Sequence, residues 1–248
     1  MDETALARKI DRITPTLRPL QPIVGYQHWR DLLFLHWPVP VEALRPLIPA
    51  PLSIDTYEGV AYVGLVPFWM FGVRPNWSPE RVAFRFLETN VRTYTHLDGR
   101  DPSVYFFSLE AASAVAVAVA RAQFGLPYFW ARMGIRRDGR RIEYRSRRLI
   151  GGPSRTWVQF EPGEQLGPSA PGSLEHFLIE RYYLHVQRGG RLLRGQVHHS
   201  TYPLQRATLV GLHDESIAAA GLPQPAGPPP LVHYVRGVDV NIHGLQPA

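Results

Sequence analysis

The segment "FLETNVRTY", residues 86–94, decides how the rest of the chain folds around it. Its composition predicts a β-strand, in which side chains at alternate positions share one face. The two faces then carry Glu88, Asn90, Arg92 and Tyr94 on one side, and Leu87, Thr89, Val91 and Thr93 on the other. A polar row turned toward solvent is an ordinary surface, whereas the same row turned inward is a binding site.

Chain length and composition limit both the domain count and the chemistry. The 248 residues are 45% hydrophobic, enough for one large domain, which we place at 23–248 after an N-terminal arm at 1–22. The chain has no cysteine, which excludes disulfides, thiolate zinc sites and cysteine nucleophiles. Lys9 is the only lysine, so imine chemistry on a lysine amine would have to use that residue.

The net charge of +6 raises the question of a nucleic-acid partner. Basic residues are densest in "RRDGRRIEYRSRR", residues 136–148, where Asp138 and Gly139 form a type I′ turn signal between two alternating segments. Such a hairpin shows its arginines to solvent, and no known nucleic-acid-binding motif accompanies it. We therefore predict no nucleic-acid partner.

The longest apolar run, "AASAVAVAVA" at residues 111–120, bears on the membrane question. It is too short to cross a bilayer, which takes ~20 residues. No targeting segment is evident near the N-terminus. These observations predict a cytoplasmic protein without a membrane partner.

Many short strand patterns with few helices and no βαβ alternation predict an α+β fold with mostly antiparallel strands. Helices are expected at 40–49, at 112–124 with Gly125 as its C-terminal stop, and at 173–182 after Ser173. The dinucleotide, P-loop, nucleophile-elbow and zincin motifs are all absent from the sequence, so no cofactor is predicted. His198 and His199 would point to opposite faces of a strand, so no metal site is predicted for the pair.

The order of several segments carries a family resemblance. These are "LLFLHWPVPVEALRPLIPAPLSIDTYEGVAYVGLVPF" (32–68), "ETNVRTY" (88–94), "VYFFSLEA" (104–111), "LPY" (126–128) and "LEHFLIERYYL" (174–184). Together they resemble the YqjF-like bacterial family (domain of unknown function 2071), which is related to acetoacetate decarboxylase. The resemblance covers roughly residues 28–243.

The resemblance implies a closed or strongly curved β barrel around a central cavity, with a few peripheral helices. Glu88 matches a glutamate that faces the cavity in the decarboxylases, and Arg92 would share its face. The decarboxylases place their imine-forming lysine in a stretch that matches "GLPYF", residues 125–129. Tyr128 and Phe129 stand where lysines are expected, so a Schiff-base decarboxylase is not predicted.

The candidate site therefore centres on Glu88 as a proton carrier and Arg92 as a clamp for a carboxylate, the two catalytic candidates. A glutamate beside the arginine would be held ionised, whereas one away from it would have a raised pKa. The further candidates for ligand contact are Asn90, Tyr94, His36, Tyr128 and Trp130.

Two main functions stay open at this point, and a third is an interaction protein that binds through its arginines. The first is an acid/base lyase or isomerase for a small carboxylate or carbonyl compound, and the second is a non-catalytic ligand-binding module. The expected partner in both is a small organic molecule, and a homo-oligomer is compatible with either.

Overall fold

The computed structural model describes residues 10–248, and strands make up most of them. The twelve strands, numbered in chain order, are β1 Ile23–Val39, β2 Ser53–Ile54, β3 Ala61–Pro75, β4 Phe84–Leu97, β5 Arg100–Ala111, β6 Tyr128–Asp138, β7 Arg141–Arg148, β8 Arg155–Gly167, β9 Tyr183–Arg188, β10 Arg191–His198, β11 Leu204–Asp214 and β12 Leu231–Pro247. This content confirms the prediction of a mostly β protein with few helices.

The helices are short: α1 Val41–Leu44, α2 Ala114–Phe124, α3 Leu174–Ile179 and α4 Ser216–Ala219, with 3-10 turns at Thr14–Thr16, Arg45–Leu47 and Glu80–Val82. The helix predicted at 112–124 is α2, which Ser113 caps at its N-terminus and Gly125 ends in the left-handed conformation (φ 68°). The helix predicted at 173–182 is shorter, because Glu180 leaves helical geometry and the chain enters β9.

Nine strands close into a ring, in the order β5, β6, β7, β8, β11, β12, β1, β3 and β4, with β4 pairing back to β5. All neighbours in this larger ring are antiparallel except β5 and β6. A buried cluster takes apolar side chains from all nine strands, among them Leu35, Val91, Tyr144, Phe160 and Tyr234. The interior of the larger ring is therefore packed with side chains.

A second ring of strands shares five members with the first. β9 runs parallel to β5, β10 pairs with β9, and β10 also pairs with β12, so β12, β1, β3, β4, β5, β9 and β10 form a closed circuit. The other core cluster takes side chains from these strands and from α3, among them Phe34, Phe68, Tyr94, Phe177 and Val197. We call this circuit the smaller ring.

Strand β4 belongs to both rings, and both of its faces are buried. Leu87 and Val91 point into the core of the larger ring, whereas Tyr94 lies in the core of the smaller ring. The sequence also favours the helix at 112–124 as the cover of the apolar Leu87 face, and this prediction is wrong: Val117 of α2 packs in the cluster of Tyr94 instead. The reason is that Leu87 faces the core of the larger ring, which side chains from β7 and β8 help to fill.

The arginine-rich hairpin is formed by β6 and β7, but its turn differs from the predicted one. Asp138 pairs with Arg141, so the two turn residues are Gly139 and Arg140. Gly139 has a positive φ of 58°, whereas Asp138 does not, so a type I′ turn at Asp138 and Gly139 is wrong. Arg137 forms an ion pair with Asp31 rather than remaining free in solvent.

The described part of the N-terminal arm, residues 10–22, is attached to the domain. Arg12 donates to Asp55 Oδ1 at 2.5 Å, and Arg181 donates to Asp55 Oδ2 at 2.9 Å. The Arg12 guanidinium also lies over the Phe177 ring at 5.2 Å. The first nine residues of the predicted helical arm lie outside the described residues.

Between residues 10 and 248, every helix is too short or too polar to cross a membrane.

The fully buried Phe160 supports the larger ring, and its removal tests that core. Phe160→Ala should lower the free energy of unfolding by ~3–5 kcal/mol, because the lost ring leaves a cavity. Phe84→Ala is the matched control: Phe84 is 49% exposed, and its loss should cost less than about 1 kcal/mol. Chemical denaturation of both variants measures the difference, and equal costs would contradict the assignment of Phe160 to a packed core.

Candidate functional site

The polar row of β4 faces the interior of the smaller ring. Glu88 is 2% exposed, Asn90 4%, Arg92 8% and Tyr94 0%. The cross-strand neighbours of Glu88 are Phe68 on β3 and Ala111 on β5, and both lie in the core of the smaller ring. The row therefore projects into a desolvated interior, where charge and hydrogen bonds carry more energy than in water.

Glu88 is the titratable end of this row. Burial disfavours its charged form and raises its pKa to about 7, although hydrogen bonds from Tyr128 and Asn90 act in the opposite direction. The Tyr128 hydroxyl donates to Glu88 Oε2 at 2.6 Å. A carboxyl group with this pKa exists in both protonation states near neutral pH.

Tyr128 reaches Glu88 because of the turn after α2. Gly125 ends the helix, and the Pro127 carbonyl then accepts from Leu109 N at 3.0 Å, which pins the start of β6 against β5. Burial and the nearby Glu88 carboxylate raise the pKa of Tyr128 well above its usual value of 10. Tyr128 is thus a neutral hydrogen-bond donor that faces Glu88.

Arg92 is not the partner of Glu88. Four residues of strand separate their Cα atoms by about 13 Å. Arg92 Nη2 donates instead to the Leu178 carbonyl at 3.0 Å, and the guanidinium lies 5.4 Å from the Phe34 ring centre. Within residues 10–248, Arg92 forms no ion pair, and its buried Nε has no hydrogen-bond acceptor. Arg92 is a buried cation with donor capacity to spare.

Asn90 lies between Glu88 and Arg92 on the row, and its Oδ1 is buried. Among the described residues this oxygen has no hydrogen-bond donor. The Asn90 Oδ1 acceptor and the Arg92 Nε donor therefore both lack a partner among the described residues, and they lie at neighbouring positions on one face of β4. A small polar molecule between them would satisfy both groups.

His36 and Tyr94 form the other end of the row. Tyr94 donates to the Leu178 carbonyl at 2.7 Å, and His36 Nε2 lies 2.7 Å from the Tyr94 oxygen. Since the Tyr94 proton is used on Leu178, His36 Nε2 carries a proton and donates to Tyr94, which leaves Nδ1 as an open acceptor. Burial lowers the pKa of His36 well below 6.5, and Arg92 adds to this effect, so the ring is neutral.

A glycine makes room for this end of the row. Gly64 on β3 lies between His36 on β1 and Arg92 on β4 in the strand register. A Cβ atom at Gly64 would stand 3.1 Å from His36 Cδ2 and Nε2 and 3.4 Å from Arg92 Cγ. The absence of a side chain is thus a packing requirement of the site.

Trp130 is the predicted ligand-binding residue that the structure does not bring to the row. It is 38% exposed and belongs to neither core cluster. β6 is a member of the larger ring only, and it sends the opposite face, with Met133 and Ile135, into that ring. The structure adds Tyr202, which packs on Phe34 at 5.7 Å, and Glu180, which accepts from Tyr202 N at 2.9 Å. Tyr202 lies in an irregular loop whose sequence gives no periodic signal.

Among the clefts that open at the surface of residues 10–248 are two large enough for a small molecule. The His199 cleft, about 430 Å³, is lined by residues of β1, β10 and β12 and by the 198–200 segment. The His233 cleft, about 470 Å³, lies between the start of α3 and strands β11 and β12. Neither cleft is lined by the β4 row, so the row lies beneath the surface rather than on it.

The adjacent histidines His198 and His199, for which no joint metal site is predicted, both line the His199 cleft. β10 ends at His198 and His199 follows it outside the strand, so the alternation that was expected to separate the two side chains does not extend to His199. His199 stacks on Tyr182 at 4.5 Å, and burial lowers its pKa to about 4. In the described part of the chain, no three side chains of the metal-ligating types stand close enough to hold an ion.

Comparison with known proteins identifies relatives over most of the chain. The sequence model of a family described as an uncharacterised conserved protein, domain of unknown function 2071, matches residues 26–239. The uncharacterised protein YqjF of Bacillus subtilis (strain 168) is 36% identical over 215 residues, covering 86% of this chain and 88% of that protein. These matches confirm the resemblance read from the sequence.

Solved structures with the same fold are much more distant in sequence. An acetoacetate decarboxylase matches with a TM-score of 0.63 and 13% identity, covering 95% of this chain and 97% of that one. The enduracididine biosynthesis enzyme MppR, complexed with pyruvate, matches with a TM-score of 0.61 and 15% identity over 92% and 91% of the chains. An acetoacetate decarboxylase-like enzyme from Sphingomonas wittichii RW1 gives 0.60 and 12% over 94% and 96%. At these identities the likeness establishes the fold alone.

The raised pKa of Glu88 predicts a specific pH dependence of stability. The folded pKa of about 7 lies above the unfolded value near 4.5, so the contribution of Glu88 is present at low pH and is lost as the pH rises through 7. Relative to Glu88→Gln, the wild type should lose about 3 kcal/mol of unfolding free energy between pH 4 and 8. Denaturation at several pH values measures this, and a difference independent of pH would contradict the assignment.

The Gly64 packing requirement gives a second prediction. Gly64→Ala should lower the free energy of unfolding by about 1–3 kcal/mol, because the new methyl group displaces His36. Gly134→Ala is the matched control: Gly134 also lies in a strand, and nothing lies within 4 Å of an added Cβ atom there. If the two variants unfold at the same denaturant concentration, His36 is not held against β3 as described.

Proposed function

The chain belongs to the YqjF-like family of uncharacterised conserved proteins, and we propose that it binds a small carbonyl compound inside the smaller ring and moves protons on it by acid–base chemistry. The substrate class is a small carboxylate that also carries a ketone or aldehyde group. The observation that carries the proposal is the hydrogen-bonded pair of Glu88 and Tyr128 in a desolvated interior.

Glu88 has the properties of a general base. A catalytic group works best when its pKa lies near the working pH, and the pKa of Glu88 is about 7. In its ionised form it would take a proton from the carbon next to the carbonyl group. The electron pair of that C–H bond would form a C=C bond to the carbonyl carbon, and the π pair of the C=O bond would move to the carbonyl oxygen. As Glu88 takes up this proton, the Tyr128 hydroxyl would turn from the carboxyl group and donate to the negative charge that develops on this oxygen.

Arg92 would hold the carboxylate end of the substrate. Its open Nε and the neighbouring amino groups offer the parallel donors that a carboxylate accepts. Asn90 lies between Glu88 and Arg92, and its unpartnered Oδ1 would accept a hydrogen bond from the substrate. The row thus offers an anion clamp at one end and a proton carrier at the other.

Completion of the reaction needs the proton to be returned from Glu88. Delivery to a different atom of the enol is an isomerisation, and loss of a leaving group from the adjacent carbon is a lyase reaction. An imine to a lysine is not part of the proposal, because Lys9 is the only lysine of the chain. MppR, which shares the fold, has been solved in complex with pyruvate, and this supports 2-oxo acids as first test compounds.

A non-catalytic binding module remains the alternative. The observation that favours it is that Arg92 and Tyr94 already donate hydrogen bonds to the Leu178 carbonyl at the end of α3. A site of this kind would bind the carboxylate and leave the carbon next to the carbonyl untouched. The two functions therefore differ in proton exchange, not in affinity.

Exchange of carbon-bound hydrogen in D₂O separates the two functions. Pyruvate and longer 2-oxo acids, incubated with the wild type, should take up deuterium next to the carbonyl group faster than in buffer, as measured by NMR. Glu88→Gln should reduce the protein-dependent rate at least ~100-fold, as expected for loss of a general base. Arg92→Met should raise the concentration of 2-oxo acid needed for half-maximal exchange. Slow exchange should still occur at high concentrations of the 2-oxo acid.

The control is Glu58→Gln, which changes an exposed carboxylate outside the row and should exchange like the wild type. Binding of 2-oxo acids without exchange would favour the binding module. Neither binding nor exchange with any 2-oxo acid, ketone or aldehyde would refute both functions.

A further inference from the structure

We propose that the His233 cleft is a second ligand site, and that it takes an α-amino acid with an apolar side chain. The cleft is separate from the β4 row and is lined by none of its residues. Three functional side chains reach it from three elements: Glu175 from the first turn of α3, Arg206 from β11 and His233 from β12.

Strand register explains the placement of Arg206 and His233. The two residues are directly paired between β11 and β12, which puts their side chains on the same face of the sheet. Glu175 approaches from α3, close enough that its charge raises the pKa of His233 while the charge of Arg206 lowers it. Burial outweighs both and lowers the pKa of His233 below 6.5, so its ring is neutral at pH 7.

Glu175 and Arg206, the two charged side chains of the cleft, do not form an ion pair with each other in the described chain. Within residues 10–248, Glu175 forms no ion pair or side-chain hydrogen bond. The nearest carboxylate to Arg206 is Glu164 at 3.9 Å, and both of those side chains are about 70% exposed. A carboxylate and a guanidinium are therefore open within one cleft.

This charge arrangement selects the ligand class. A simple carboxylate would be attracted by Arg206 but repelled by Glu175. A simple amine would be attracted by Glu175 but repelled by Arg206. A molecule with an ammonium and a carboxylate on the same carbon satisfies both. The ammonium would lie on Glu175 and the carboxylate on Arg206.

The remaining walls select an apolar side chain. They are formed by aliphatic and proline residues, among them Leu166, Pro168, Leu204, Pro230 and Leu231. The volume of about 470 Å³ lies in the range of small-molecule sites. Two buried polar atoms of lining residues, His233 Nδ1 and Ser169 Oγ, have no hydrogen-bond partner in the described chain, and a bound polar group would supply one.

Calorimetric titration of the full chain with L-phenylalanine tests the proposal. The wild type should bind L-phenylalanine at least ~10-fold more tightly than 3-phenylpropionate, which lacks the ammonium, or phenethylamine, which lacks the carboxylate. Glu175→Gln should weaken L-phenylalanine at least ~10-fold without weakening 3-phenylpropionate. Arg206→Gln should weaken L-phenylalanine similarly without weakening phenethylamine.

Two controls separate this site from the β4 row and from general charge effects. Arg191→Gln alters an exposed arginine outside the cleft, and Glu88→Gln alters the proposed base; both should bind L-phenylalanine like the wild type. The proposal is overturned if folded wild type binds none of the three compounds, if it binds L-phenylalanine and 3-phenylpropionate equally, or if neither cleft variant changes the affinity.

Discussion

The burial of β4 on both faces is the constraint on which the rest of the structure depends. Five strands, β12, β1, β3, β4 and β5, take part in both closed rings, so every side chain of central β4 enters one of two cores. A polar residue on such a strand has no access to bulk water and must find partners inside. The identity of those partners, more than the row itself, determines what the site can do.

The partners divide the row into two chemically different halves. At the Tyr94 end, the guanidinium and hydroxyl groups converge on the Leu178 carbonyl, near the C-terminal end of α3, where helix carbonyls lack partners of their own. At the Glu88 end, the Tyr128 hydroxyl donates to the carboxyl group at 2.6 Å, and Asn90 adds a second hydrogen bond. The first half ties helix α3 to the sheet. The second half keeps the Glu88 carboxyl group about half protonated near neutral pH.

The sequence carries enough information to predict the alternation of β4, the capped helix α2 and the family. These features depend on neighbours a few residues apart, or on the order of segments along the chain. Closure of the smaller ring could not be predicted, because it rests on the pairing of β10 with β12, whose strands are brought together by the whole topology. The same limit explains Trp130, whose outward orientation depends on which ring β6 joins.

Two-sided burial also bears on how members of this family can diverge. A substitution on β4 disturbs one core or the other, so this strand has no tolerant face on which a new function can arise by gradual change. Helix α2 is the opposite case, since Val117 is its one buried residue, and the turn that follows it delivers position 128 to Glu88. New chemistry in this scaffold is therefore most accessible to evolution at the α2–β6 junction, where a single codon can replace the group facing the glutamate at the cost of one side chain that packs against the core of the smaller ring.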